Sequence, residues 1–214
     1  MIKALLFDLD GVLVNAMPWH EEAFLAAVRV EGGIDIGQVE HAAHYAGRST
    51  KQKLKMLVDH GLLDPRKVSK VAECKQRLTE TYIEQRCVAD MGRVMMMQHL
   101  KGAGYTLGCV TNCIKRTTLN LLERTQLLPF VEGCVITNED VTQPKPSPEP
   151  YQKACGLAGV MPQEALVFED HDVGLKAAFA AGCYVKQVHR FEDLTIDMVW
   201  EAIESANLTE KGLS

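Results

Sequence analysis

The feature of this sequence that most constrains its fold is the alternation of short apolar runs with helix-like segments beyond residue 92. Each run is short enough for a buried strand, and each is followed by apolar residues at helical spacing. Alternating strands and helices predict a doubly wound parallel α/β sheet. The predicted strands are Tyr105–Val110, Gly133–Ile136, Ala165–Phe168 and Cys183–Val188, and the predicted helices are Val94–Leu100, Ile114–Thr125, Pro148–Leu157, Gly174–Ala181 and Phe191–Ser205.

One more strand precedes this region, and a long helical insert follows that strand. Residues 2–7 are an apolar run that ends in the acidic turn Asp8–Gly11, which is typical of a buried parallel strand. Residues 19–87 have apolar residues at helical spacing, and they predict four helices and no strand. We therefore expect an α/β core domain over residues 1–15 and 88–214, with an inserted α-helical cap domain over residues 16–87.

Charge and hydropathy exclude several classes of partner. The chain has 28 acidic and 23 basic residues, and this net charge of −5 argues against nucleic acid and anionic membranes. No apolar run is long enough to span a bilayer, and early charges argue against a signal peptide. The seven scattered cysteines favour reduced thiols in a cytoplasmic protein. The polar segment Leu208–Ser214 predicts a frayed end.

Polar residues that could carry chemistry follow each of the first four strands. Parallel strands bring their carboxyl ends to one edge of the sheet, where ligands of such folds bind. The residues that we expect at this edge are Asp8, Asp10, Thr111, Asn112, Lys145, Glu169, Asp170, His171 and Asp172. Their convergence is more informative than any single motif, although Glu169 and Asp170 could also cap the helix that follows them.

The charges of these side chains indicate a reaction type. Several carboxylates at one edge repel one another unless they share a hard cation, and Mg²⁺ prefers such oxygen ligands. Asp8, Asp170 and Glu169 could hold this ion. A carboxylate beside a metal, without a glycine-rich phosphate loop, favours an aspartyl nucleophile. Lys145 could neutralise the transferring group.

Four segments resemble the motifs of the haloacid dehalogenase superfamily, in the branch with a helical cap after the first strand. They are Phe7–Val14, Val110–Asn112, Lys145–Tyr151 and Phe168–Gly174. This branch contains the β-phosphoglucomutase and sugar-phosphate phosphatase group, and its core is a Rossmann-like sheet. The resemblance covers nearly the whole chain. The chain departs from the family pattern at Asn15, Ala16 and His171, where an acid, a serine or threonine, and a serine are usual.

The resemblance implies a role for each motif residue. Asp8 would attack phosphorus and become an aspartyl-phosphate. Asp10 would protonate the leaving alcohol and then help to activate water, and its backbone carbonyl would ligate Mg²⁺. Thr111 and Lys145 would bind the phosphoryl group. The remaining assignments are the N–H of Asn112 for phosphate oxygens, at a helix N-terminus, and Asp170 with Glu169 for the metal.

Three residues of the insert are candidates for substrate binding. His20 lies near the expected hinge, where it contacts Asp10 or the substrate, or is a plain surface histidine. Arg48, in Gly47–Thr50, matches a loop that faces the active site in this family, against the alternative of a solvated arginine. Lys75 lies in a helix where relatives often have a lysine near the substrate.

These observations predict a cytoplasmic, Mg²⁺-dependent phosphatase of a small phosphorylated metabolite, such as a sugar or polyol phosphate. A phosphosugar mutase is the first alternative, but Thr50 stands where the mutases have a phosphate-binding arginine. Arg48, by contrast, matches the Gly-Arg-Ser pattern that is common in phosphatases. A non-catalytic phosphometabolite-binding protein is the second alternative, and the retention of Asp8, Asp10 and Lys145 argues against it. The sequence indicates no oligomeric state.

Overall fold

The computed structural model describes residues 1–210. The chain divides into two compact units, one formed by residues 1–15 and 88–214 and the other by residues 16–87. We refer to them as the α/β unit and the helical unit. None of the helices in the described part of the chain has the length and apolar character that a membrane crossing requires.

The α/β unit is built on a five-stranded sheet in which all strand pairs are parallel. The strands are β1 Ala4–Phe7, β2 Thr106–Val110, β3 Val135–Ile136, β4 Ala165–Glu169 and β5 Tyr184–Gln187. Their order is β3-β2-β1-β4-β5, which confirms the predicted doubly wound sheet. The first strand is central and buried along its whole length, because its continuous apolar run is covered on both faces.

The order of the strands indicates which edge of the sheet binds ligands. The chain builds outward from β1 to β2 and β3 and then crosses to β4 on the other side of β1. The carboxyl ends of β1 and β4 therefore form the switch point at which ligands bind in open α/β sheets. Phe7 pairs in register with Phe168, and their rings stack with centroids 5.0 Å apart. Asp8 and Glu169, the next residues of the two strands, consequently emerge side by side.

Ten α-helices surround the sheet or form the helical unit in the described part of the chain. They are α1 Met17–Ala27, α2 Gln38–His44, α3 Thr50–Asp59, α4 Val68–Arg86, α5 Met91–Gly102, α6 Lys115–Arg124, α7 Leu128–Val131, α8 Glu149–Ala158, α9 Asp172–Ala181 and α10 Ile196–Glu210. The four helices between residues 16 and 87 confirm the predicted number. The short α7 was not predicted from the sequence.

The last helix begins later than predicted. Residues Phe191–Asp193 form a 3₁₀ turn instead of the start of a helix. The buried guanidinium of Arg93 donates hydrogen bonds to the carbonyl oxygens of Phe191 and Leu194, which holds this segment outside the helix. The hydroxyl of Thr195 accepts the N–H of Met198 at 3.2 Å and caps α10.

The predicted frayed end is wrong for its first residues. Residues 208–210 belong to α10, because the helix buries a stripe of apolar side chains that includes Val199, Ile203 and Ala206. Residues 211–214 lie outside the described part of the chain.

The helical unit has a core of its own. Phe24 of α1, Leu54 and Leu57 of α3 and Val71 of α4 are buried together. The start of α3 is fixed by a capping box, in which the hydroxyl of Ser49 accepts the N–H of Gln52 at 3.3 Å. The side chain of Gln52 in turn accepts the N–H of Ser49 at 2.9 Å.

A buried histidine and lysine pair lies inside this core. The Nε2 atom of His41 lies 3.1 Å from the Nζ atom of Lys53, and both side chains are nearly inaccessible to solvent. The Nδ1 atom of His41 lies 3.9 Å from a carboxylate oxygen of Glu21, and the His41 ring packs on Phe24 and Tyr45. Burial, with the positive charge of Lys53, lowers the pKa of His41 to about 4.

This lowered pKa makes the stability of the chain depend on pH. Between pH 6.5 and pH 4 the unfolded chain binds a proton at His41 that the folded chain does not. Stability therefore falls as the pH falls through this window, by about 2 kcal/mol between pH 7 and pH 5 from this group. Urea unfolding of the wild type and of His41→Gln at both pH values measures the difference. His60→Gln, at an exposed position, is the control that keeps the wild-type dependence; an unchanged dependence in His41→Gln would contradict the assignment.

Candidate active site

The first acidic side chain of the site follows the central strand directly. The N–H of Asp8 donates to the carbonyl of Phe168 at 3.0 Å, so the β1–β4 ladder extends to this residue. The chain then turns sharply at Gly11, whose φ of 90° is in the region that favours glycine. The N–H of Gly11 donates to the carbonyl of Val14 at 2.8 Å, which closes the turn. Asp8 is thus fixed at the switch point with most of its surface buried.

The ammonium group of Lys145 is buried against this aspartate. It donates to Asp8 Oδ1 at 2.6 Å, to the carbonyl oxygen of Val110 at 2.7 Å and to Glu169 Oε1. Its three donors therefore meet three acceptors, and only 3% of the side chain is exposed. Burial alone would lower the pKa of Lys145, but the charges of Asp8 and Glu169 outweigh it and raise that pKa. Lys145 is consequently a fixed positive charge beside the Asp8 carboxylate.

Negative charge exceeds positive charge around this lysine. Asp8, Glu169 and Asp170 each offer a carboxylate oxygen, and these oxygens lie within 4.8 Å of one another. Burial and the charge of Glu169 raise the pKa of Asp8 well above its ordinary value. Burial, with the charges of Glu169 and Asp10, raises the pKa of Asp170 to about 7. Among the described residues the three carboxylates thus surround one ammonium group, and a set of hard oxygen donors of this kind fits Mg²⁺.

The position of Glu169 depends on a glycine in α9. A Cβ atom added to Gly174 would lie 1.9 Å from Glu169 Oε1 and 2.0 Å from its carboxyl carbon. No side chain larger than hydrogen therefore fits at this point while the carboxylate stays in place. On its other side, Glu169 Oε1 accepts the hydroxyl of Tyr151 at 2.6 Å.

The residues that follow β2 form a turn. The hydroxyl of Thr111 accepts the N–H of Cys113 at 3.0 Å. The prediction that Asn112 lies at a helix N-terminus is wrong, because α6 begins at Lys115 with Ile114 as its N-cap. The N–H of Lys115 donates instead to Glu139 Oε2 at 2.5 Å.

The side chain of Asn112 connects two loops of the α/β unit. Its Oδ1 accepts the N–H of Lys145 at 3.1 Å, and its Nδ2 donates to the carbonyl of Lys145 at 3.2 Å. The amide of Asn138 adds a further link, since its Nδ2 donates to the carbonyl of Asn112 at 2.8 Å. The backbone of Lys145 is therefore held from the loop after β2.

A further contact bears on the acidic residues. Cys113 Sγ donates to Asp10 Oδ2 at 2.9 Å, so this thiol orients the second aspartate of the first motif.

The suggestion that Glu169 or Asp170 caps the next helix is wrong. His171 is the N-cap of α9, and its Nδ1 atom accepts the N–H of Val173 at 3.3 Å.

Comparison with known proteins identifies the family. The sequence profile described as "Haloacid dehalogenase-like hydrolase" matches residues 5–188, which is most of the chain. The chain belongs to the haloacid dehalogenase-like hydrolase family. The predicted membership of this superfamily is thus confirmed, and the match runs across both units.

Relatives of this hydrolase include several curated phosphatases. It is 29% identical to hexitol phosphatase A of Escherichia coli (strain K12), over 98% of this chain and 95% of that protein. It is 28% identical to a phosphoglycolate phosphatase of Thiobacillus denitrificans, over 86% of this chain and 82% of that protein. Its fold is similar to that of β-phosphoglucomutase from Clostridium difficile, with a TM-score of 0.81 at 20% identity, over 97% of this chain and 100% of that structure.

The substrate-binding candidates of this haloacid dehalogenase-like hydrolase lie in the helical unit. Lys75 Nζ lies 3.0 Å from His20 Nδ1, which joins α4 to α1 inside that unit. His20 is therefore not a plain surface side chain. Arg48 is half-buried, and its Nε atom donates to the carbonyl of His44 at 3.3 Å.

Three residues that contact the acidic side chains of the site, Gly174, Tyr151 and Cys113, were not predicted from the sequence. Gly174 and Tyr151 lie inside the motif segments Phe168–Gly174 and Lys145–Tyr151, but their contacts with Glu169 depend on how α8 and α9 pack. Cys113 directly follows the motif Val110–Asn112, and only this position in the sequence indicates that it lies near the site. The motifs identify the charged residues, whereas the side chains that hold them emerge from tertiary packing.

Proposed function

We propose that this chain is an Mg²⁺-dependent phosphatase that hydrolyses a small phosphorylated metabolite through an aspartyl-phosphate on Asp8. The substrate class that we propose is a sugar or polyol phosphate, which the similarity to a hexitol phosphatase supports. The observation that carries the proposal is the ammonium of Lys145, buried 2.6 Å from Asp8 among further carboxylates. A permanently charged donor beside an aspartate suits the transfer of an anionic group.

The chemistry divides into two transfers at phosphorus. A carboxylate oxygen of Asp8 attacks the phosphorus atom, and the bond from phosphorus to the ester oxygen breaks. Asp10 gives its proton to the departing oxygen, which leaves as an alcohol. Asp10 then accepts a proton from water as that water attacks the aspartyl-phosphate. Inorganic phosphate leaves, and the Asp8 carboxylate and the Asp10 acid are restored.

The residues that we propose for the cation are Asp8, Glu169, Asp170 and the backbone carbonyl of Asp10. When bound, Mg²⁺ would supply positive charge that balances the surplus of carboxylates and the incoming phosphoryl oxygens. Lys145 supplies its own positive charge at Asp8, because the charges of Asp8 and Glu169 outweigh the effect of burial and raise its pKa.

The other binding roles are proposals of the same kind. The Thr111 hydroxyl and the Asn112 N–H are proposed to bind phosphoryl oxygens. His20, Arg48 and Lys75 are proposed to bind the remainder of the substrate. We also propose that the enzyme acts in the cytoplasm on a freely diffusing metabolite, which its free cysteines support.

Phosphate release from a panel of compounds tests the function. The panel contains hexitol phosphates, sugar phosphates, phosphoglycolate, pyrophosphate and a generic aryl phosphate, each with and without Mg²⁺. We expect release that depends on Mg²⁺, with polyol or sugar phosphates as the better substrates. A phosphosugar mutase, which the similar fold of β-phosphoglucomutase keeps as a second candidate, would instead yield an isomeric sugar phosphate. No turnover of any compound would contradict both enzymatic proposals.

Magnesium is expected to stabilise the folded protein, and Asp170 is expected to be required for that effect. A ligand that binds only the folded state at 100 times its dissociation constant adds about 2.7 kcal/mol. In a chain of this size that corresponds to a rise in Tm of roughly 5–10 °C. Asp170→Ala should lose most of this rise, and should be at least as stable as the wild type without Mg²⁺ because one buried repulsion is removed.

The matched control for this experiment is Asp172→Ala. Asp172 lies two residues further along the chain and is exposed at the start of α9. Its loss should leave the magnesium-dependent rise in Tm intact. A full rise in Asp170→Ala would place the cation elsewhere.

A further inference from the structure

One buried hydroxyl contacts the cluster formed by Lys145, Asp8 and Glu169 and has no role in the proposed mechanism. Tyr151 lies in the first turn of α8, and its side chain is completely buried. Its hydroxyl donates to Glu169 Oε1 at 2.6 Å. We propose that Tyr151 is a positioning residue that acts through Glu169 to hold Lys145 against Asp8, an inference that rests on the proposed function.

The two hydrogen bonds to Glu169 converge on one atom. Oε1 accepts both the ammonium of Lys145 and the hydroxyl of Tyr151. A carboxylate that kept only the lysine could turn about its terminal bond and still accept that one donor. The tyrosine limits this rotation, because both donors are satisfied only when one carboxylate oxygen faces inward between them. A hydrogen bond to a charged carboxylate is also stronger than one between neutral groups.

The ring of Tyr151 contacts the same lysine. Lys145 Nζ lies 4.9 Å from the ring centroid, within the range of a cation–π interaction. The ammonium is therefore held by the Tyr151 ring directly and by the Tyr151 hydroxyl through Glu169. Removing the hydroxyl alone separates these two contributions.

The backbone of this region fixes Tyr151 relative to the lysine loop. Glu149, at the start of α8, accepts the N–H groups of Thr142 and Gln143 on its two carboxylate oxygens, each at 2.8 Å. The segment that precedes Lys145 is thus tied to the helix that carries Tyr151. A tyrosine at this point can therefore position the lysine without touching a substrate.

Tyr151→Phe tests the proposal because it keeps the ring and removes only the hydroxyl. We expect kcat to fall about 10- to 150-fold, the scale of one hydrogen bond to a charged group, with KM changed less than about twofold. Tyr184→Phe, a half-buried tyrosine of β5, is the matched control that keeps the wild-type kcat. A wild-type kcat in Tyr151→Phe would overturn the proposal.

A double-mutant cycle distinguishes positioning from general packing. If Tyr151 acts through Glu169, adding Tyr151→Phe to Glu169→Gln should cost less than about twofold in kcat, since the route is already broken. The same cycle in Tm, measured without Mg²⁺, should also be non-additive, and this readout needs no turnover. Equal losses in both backgrounds, or additive shifts in Tm, would overturn the proposal.

The failure of the proposed function is recognised separately. If the wild-type protein hydrolyses no compound of the panel, the proposed function fails, and the cycle in Tm alone then tests whether Tyr151 positions Lys145 through Glu169. If the wild type hydrolyses a phosphate ester and the cycles are additive, the proposed function stands and only the role of Tyr151 is wrong.

Discussion

Replacing Asp8 by asparagine is expected to lower kcat by at least about 1000-fold, which corresponds to about 4 kcal/mol of transition-state stabilisation. An amide is a far weaker nucleophile than a carboxylate, and nothing else in the described cluster occupies the position of Asp8 beside Lys145. The fold should persist, because the substitution preserves shape and removes one buried negative charge from a group with a surplus of them. Steady-state phosphate release on the best substrate of the panel measures the loss.

Acid-quenched labelling with a radioactive phosphate donor provides a second readout for this variant. The wild type should retain label on the protein after a brief reaction, and Asp8→Asn should not. Asp172→Asn, an exposed change, is the control that keeps both turnover and label. If Asp8→Asn retained more than about one-twentieth of the wild-type kcat, covalent catalysis by this residue would be excluded.

The second large effect is expected from Gly174→Ala. The new methyl group would lie 1.9 Å from Glu169 Oε1, so either α9 or the carboxylate must move. Overpacking of this kind costs roughly 1–3 kcal/mol of stability. Displacement of Glu169 would also release Lys145, and we expect kcat/KM to fall by at least about 100-fold. Thermal denaturation and steady-state kinetics measure the two effects.

Gly156→Ala in α8 is the matched control. A Cβ atom at Gly156 meets nothing within 4 Å, and the position lies inside a regular helix. The same chemical change should there stabilise the protein by about 0.5–1 kcal/mol and leave kinetics unchanged. If Gly174→Ala behaved like Gly156→Ala, the close approach of Gly174 to Glu169 would not matter for catalysis.

Much of the fold and of the charged cluster could be predicted because both depend on periodic patterns. The alternation of apolar runs and helical segments predicted the parallel sheet. The rule that parallel strands end at one edge predicted that Asp8, Lys145, Glu169 and Asp170 lie close together. The positions of residues at strand ends can be predicted in this way, because the pairing of β1 with β4 fixes the backbone of the residues that follow directly.

The remainder depended on side-chain contacts that no local pattern encodes. The bond of Tyr151 to Glu169 arises from packing between α8 and β4, which lie apart in sequence. The interpretation of Asn112 as a residue at a helix start was wrong because Cys113 and Ile114 separate it from α6. The delayed start of α10 depended on the buried Arg93, whose partners are about 100 residues away.

The central position of β1 has a consequence for how the chain folds during synthesis. Ala4 pairs with Thr106 on one side and with Ala165 on the other, so β1 leaves the ribosome before either of the strands with which it pairs. Pairing over such separations is slow, because the entropy of closing a long loop is lost before the contacts between the strands can form. The apolar segment that becomes β1 therefore stays unpaired until β2 has been translated, and paired on one side only until β4 follows. This nascent segment is where chaperone binding or aggregation is expected to begin.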